Sequence, residues 1–194
     1  MKGTMLRCGV LLAVALMASA AIAAGAQAQA VWSPDNTWVF GNSGDPVLAY
    51  EGTTVSCDSS TLSGATGVSS PNLDLEQQFF GNCAAGGLDA TVDCAEADAL
   101  RLVALDPVDN TGTVDLKPGY SCIVTVTGVC TISVAGPQSD VGVFVLDEAT
   151  DVLTIDVANA AATRSGSSLC GPASGTAVFA DDYLMSPSEL AIVP

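Results

Sequence analysis

The sequence predicts a single all-β domain, an antiparallel β-sandwich with a β-barrel as the alternative, stapled by disulfides behind an N-terminal signal peptide. Three observations carry that reading. An apolar leader ends in small residues, six further cysteines occur in a chain with no histidine, and short runs from residue 47 onward alternate apolar with polar residues.

The leader comes first. Lys2 and Arg7 are the only charges among the first 30 residues, and Cys8 to Ala24 is an almost unbroken apolar run. Gly25-Ala26-Gln27-Ala28-Gln29-Ala30 follows, with small residues at the alternate positions a signal peptidase requires. Residues 1–30 are therefore expected to be a secretory signal, cut at Ala30/Val31 or at Ala28/Gln29. The apolar run falls short of the roughly 20 residues of a membrane span, and no second long run follows. Residues 31–194 have the length of one domain.

In that domain Arg101, Lys117 and Arg164 face all 21 acidic residues, three minus 21, for a formal charge of −18. Nucleic acid and anionic membrane surfaces are held by Lys and Arg, so neither is an expected partner. The acids are scattered rather than blocked, a pattern that serves solubility. An apolar fraction of 49% excludes a disordered chain.

Cys8 leaves with the leader, and Cys57, Cys83, Cys94, Cys122, Cys130 and Cys170 remain. An even number in an exported chain reads as three disulfides, with connectivity left open by the spacing. Zinc ligands usually come in pairs roughly two to four residues apart. Here the nearest pairs are Cys122/Cys130 and Cys83/Cys94, eight and eleven residues apart. A redox site would show Cys-x-x-Cys, which is absent. The cysteines are staples.

Strand signals fill the rest. In "PGYSCIVTVTGVCTISVAG", residues 118–136, Cys122, Val124 and Val126 alternate with Thr125 and Thr127, and Cys130, Ile132 and Val134 with Thr131 and Ser133. Period-two alternation of this kind marks half-buried strands with the cysteines on the core side. A turn at Thr127-Gly128 would set residue 122 opposite 133. That displaces the two cysteines by about three residues, near 10 Å, beyond the roughly 7 Å limit for a disulfide, so they are not expected to bond to each other. Residues 141–146 and 152–157 flank Asp147-Glu148-Ala149-Thr150-Asp151 and read as a hairpin. Further strands are expected at 47–50, 53–57, 100–105, 113–117, 176–180 and 190–193, separated by Gly, Pro, Asp and Asn. Segments 73–80 and 95–100 have the pattern of a short helical turn, and the Ser- and Gly-rich 59–70 that of a flexible loop. Some ten short strands with frequent turns define the all-β class.

From Val55 onward the chain resembles a loose group of small exported proteins from high-GC Gram-positive bacteria. The shared features are "VSCDSSTLSGATG", "FFGNC", "CTISVAG", a hairpin with "LTIDV", and "LCGPASGTAVFADDYLM". The group has no established function, so the resemblance implies architecture and a cysteine pairing. It implies Cys57–Cys83 and Cys130–Cys170, and leaves Cys94 with Cys122 as a pair added in this sequence.

Chemistry is sparse. Without histidine there is no Ser-His-Asp or Cys-His machinery, and no Gly-x-Ser-x-Gly elbow, phosphate loop or dinucleotide fingerprint occurs. A two-carboxylate hydrolase remains as the alternative, since 21 acids readily supply a pair. Sugar sites present aromatic platforms, whereas Trp32 and Trp38 stand at the start of the mature chain, where covering a sheet edge is their expected task. "DPVDNTGTVD" places Asp106, Asp109, Asn110 and Asp115 in one loop, but Val108 stands where a calcium-loop oxygen is needed. Asp and Asn are also ordinary turn residues. No catalytic, cofactor-binding or metal residue is expected. The expected function is that of a secreted or cell-wall module without enzymatic activity, meeting an extracellular or envelope partner, and a carboxylate-dependent secreted hydrolase is the alternative.

Overall fold

The computed structural model describes residues 29–94 and 100–194. The expected signal peptide lies outside the described residues except for Gln29 and Ala30, and so does 95–99 of the expected turn at 95–100. Among the described residues fourteen strands form: β1 (Val31–Ser33), β2 (Trp38–Ser43), β3 (Val47–Tyr50), β4 (Thr53–Thr66), β5 (Asn72–Ala85), β6 (Leu88–Cys94) and β7 (Leu100–Asp106). They continue with β8 (Thr111–Leu116), β9 (Ser121–Val126), β10 (Cys130–Ala135), β11 (Gln138–Asp147), β12 (Val152–Gly166), β13 (Ser174–Ser186) and β14 (Ala191–Val193). A short 3₁₀ turn, Ser168–Cys170, precedes β13.

Four strands, β4, β5, β12 and β13, are 13 to 15 residues long, against the five or six or so that are usual. Each changes partner along its length. The first part of β12 pairs with β11 and the last part with β10. Likewise β5 pairs first with β7 and then with β6, β4 first with β3 and then with β2, and β13 first with β3 and then with β2. Register shifts at Ser63/Gly64, Phe79/Cys83 and Val157/Ala160 let the strands bend through these exchanges.

The pairings therefore close into two rings. One runs β2-β4-β5-β7-β8-β11-β12-β13 and the other β3-β4-β5-β6-β9-β10-β12-β13, every pair antiparallel. About eight strands is the size at which side chains alone fill a barrel. The expected all-β antiparallel class forms, in a closed, barrel-like version: among the described residues every strand of the large sheet has a neighbouring strand on both sides.

Each ring holds a core. Leu73, Leu102, Val114, Phe144, Ile155 and Tyr183 fill the first, and Tyr50, Val55, Val124, Val126 and Ile132 fill the second. Leu48, Phe80 and Val134 pack against both. The ribbon β1–β14 belongs to the first core through Trp32 and Ile192. Its two outer edges are occupied: the Trp32 amide donates to Ser70 O at 2.9 Å, and the Ile192 amide to Glu148 Oε1 at 3.2 Å.

Four expectations are corrected. Segment 73–80 is strand, because Leu73 and Leu75 alternate inward against Asp74 and Glu76, and β4 and β7 supply ladder partners. Segment 59–70 is mostly strand as well, since β4 is hydrogen-bonded on both sides and tertiary pairing overrides the weak preference of Ser and Gly. There Gly64 is required, as a Cβ would collide with the carbonyl oxygen of Asp74. The β9–β10 turn is Thr127-Gly128-Val129, so Cys122 faces Val134 rather than residue 133, and Cys130 faces Val126. Trp32 covers no edge: it is wholly buried and stacks on Phe144 at 5.3 Å.

Candidate functional site

All six cysteines are buried in disulfides, Cys57–Cys83, Cys94–Cys122 and Cys130–Cys170. Cys57 and Cys83 are directly opposite in the β4–β5 ladder, and Cys94 and Cys122 in the β6–β9 ladder. The third bond ties β10 to the 3₁₀ turn, and Tyr50 steadies the same segment by donating its hydroxyl to Pro172 O at 2.9 Å. These bonds serve closure and leave no thiol for chemistry among the described residues.

The acids of "DPVDNTGTVD" do not converge. Asp106 accepts from the amides of Val108 and Asp109 at 2.8 and 3.3 Å, which makes it the organiser of its own turn. Asp115 stands several residues along β8, opposite Arg101, and accepts from the Asp140 amide at 2.8 Å. Asp74 is the centre of the charged contacts: Arg101 Nε reaches Oδ1 at 2.7 Å and Lys117 Nζ reaches Oδ2 at 3.0 Å. Burial is the largest single influence on this carboxyl and pushes it up. The hydrogen bonds and charges of Arg101 and Lys117 together outweigh burial and hold it below the ordinary carboxylate value.

Among the described residues Asp181 is the one buried charged side chain. It sits on β13 at the seam where β2 ends and β3 begins. Ser43 and Ser60, opposite each other in the β2–β4 ladder, both donate to it, Ser60 at 2.5 Å. The Asp182 amide adds a third bond at 2.9 Å. Ser60 also lies 2.8 Å from the Tyr183 hydroxyl. Both carboxylate oxygens thus have protein partners, and the buried charge is satisfied within the seam.

The cavity between the two cores is apolar, lined by Tyr50, Val55, Phe80, Leu116, Tyr120 and Phe179 among others. Its volume of about 60 Å³ is far below the roughly 300 Å³ where small-molecule sites begin. Burial pushes the Tyr120 phenol upward, so it stays neutral. Two open hollows are larger, about 560 and 480 Å³, and each carries a single acidic side chain, Asp106 in the first and Asp89 in the second. None of the three brings two acidic side chains together.

No protein-family model, curated protein or solved structure matches the chain.

The outer surface is different. Trp38 and Phe40 project outward from β2, 44% and 50% exposed, with ring centroids 6.1 Å apart. Phe79 of β5 is 53% exposed. Between them β4 presents small residues: Ala65 stands between Trp38 and Asp74, and Thr61 between Asn42 and Phe79. Trp38, Phe40, Thr61, Ala65, Asp74 and Phe79 thus share the outer face of β2, β4 and β5. Sequence reasoning missed it by assigning both tryptophans to one task. The signal was there, in the alternation Trp38-Val39-Phe40-Gly41-Asn42, whose even and odd members face opposite ways.

Proposed function

We propose that the chain is an exported, non-enzymatic binding module that engages an extracellular or cell-envelope component through the outer face of β2, β4 and β5. One observation carries this: Trp38, Phe40 and Phe79 are the exposed aromatics of a sheet whose own edges are all paired. With no free strand to lend, recognition falls to a face, where half-exposed aromatic rings supply most of the contact energy. Three disulfides support an oxidising compartment. Support for a non-enzymatic role comes from Asp181, saturated by its neighbours, and from cavities that gather no pair of acids.

The test compares wild type with the double variant Trp38→Ala/Phe40→Ala in cosedimentation with purified cell-wall material of a high-GC Gram-positive host. Wild type is expected in the pellet and the variant in the supernatant. Equal partition of the two proteins would remove this face from the function. On ester, peptide and glycoside panels the protein is expected to match buffer. Turnover that disappears on substituting a single carboxylate would show a hydrolase instead.

A further inference from the structure

We infer that the export signal is removed between Ala28 and Gln29, and that the mature chain begins with a cyclised Gln29. The inference rests on the export reading above. Sequence offers two cuts that satisfy the same chemistry. Ala26 and Ala28 are the small residues before one, and Ala28 and Ala30 before the other.

The fold separates them. Gln29 is exposed, but Ala30 is only 3% exposed and belongs to the first core with Trp32, Leu190 and Ile192. Among the described residues the packing therefore starts at Ala30. A cut after Ala30 would discard a core residue and leave its place empty. It would also put the new α-ammonium on Val31, a half-buried residue already paired with Val193 in the β1–β14 ribbon. A charge there loses part of its hydration. A cut before Gln29 keeps Ala30 in place and puts the new terminus on an exposed residue.

That terminus has its own reaction. The α-amino nitrogen of Gln29 attacks the side-chain amide carbon, the new N–Cδ bond closes a five-membered lactam, and the Cδ–NH₂ bond breaks. The amide nitrogen leaves as ammonia, carrying the proton given up by the α-amine. No oxidant or second substrate takes part, and the product has no charged N-terminus.

Intact mass and peptide mapping of protein exported by a high-GC Gram-positive host test the proposal. The expected N-terminal peptide starts at residue 29 and is lighter by one ammonia. A peptide starting at Val31, or an uncyclised Gln29, overturns it. A product that keeps Met1 overturns the export reading as well, which distinguishes the two failures. Independently, chains expressed to begin at Gln29 and at Val31 are compared by thermal melting. Loss of the Ala30 contact should lower the midpoint of the second by about 2–4 °C, and equal midpoints would remove the physical basis of the assignment.

Discussion

Ser60 donates its hydroxyl proton to the Asp181 carboxylate across 2.5 Å, where β2 gives way to β3 beside β13. Neither of those short strands covers this stretch of β13, so the Asp181 carboxylate takes up the Asp182 amide that a continuous ladder would have paired, together with two seryl hydroxyls. Asp181→Ala removes the acceptor shared by the Ser43 and Ser60 hydroxyls and the Asp182 amide, and should cost about 2–4 kcal/mol. Asp181→Asn keeps an acceptor oxygen and should lose less. Urea unfolding of both variants checks the order; an alanine variant as stable as wild type would deny the seam its role.

Trp32 anchors the terminal ribbon. Its ring is fully buried against Phe144, and its strand pairs with β14, so one side chain holds both strands of the ribbon to the first ring. Trp32→Ala should destabilise by about 3–5 kcal/mol. Hydrogen exchange should show early loss of protection at residues 31–33 and 191–193, ahead of the rings. Loss confined to global unfolding would mean that the ribbon is not an independent unit.

The disulfides Cys94–Cys122 and Cys130–Cys170 close loops with sequence separations of 28 and 40 residues. By the chain-entropy relation each contributes roughly 3–4 kcal/mol, or on the order of 10 °C in melting temperature for a domain of this size. The paired variant Cys94→Ala/Cys122→Ala is expected to fold and to melt lower by about that amount. Peptide mapping without reduction should recover 94 linked to 122, and a fragment joining 122 to 130 would contradict the register.

Asp74 adds a pH dependence of known sign. Its carboxyl is held below the ordinary 3.8 in the fold, so its contribution is present above that value and is lost as pH falls through the lower folded value. The group is about one-third exposed, and solvent screening limits the effect to roughly 1 kcal/mol or less. Asp74→Asn should therefore narrow the stability gap to wild type as pH drops from neutral to well below 3.8. A gap that stays constant through that range would assign the loss to packing rather than charge.

The sequence by itself determined the class and much of the strand map. Period-two alternation survives wherever one face of a strand meets the core, so the faces of β9 and β10 were legible residue by residue, and the hairpin of β11 with the first half of β12 was legible in outline. Parity of the cysteines in a histidine-free chain likewise determined that they are staples. What sequence could not determine was decided between strands distant in the chain. Segment 59–70 is poor in strand-forming residues and becomes strand because β2 and β5 satisfy its backbone on both sides. Two tryptophans six residues apart take opposite fates, since Trp32 finds Phe144, more than a hundred residues later, while Trp38 points away from every core. Closure into two rings depends on β12 meeting β10 and on β4 meeting β5. Local pattern records which side of a strand is buried, and only the assembled ladder decides which strand lies beside it.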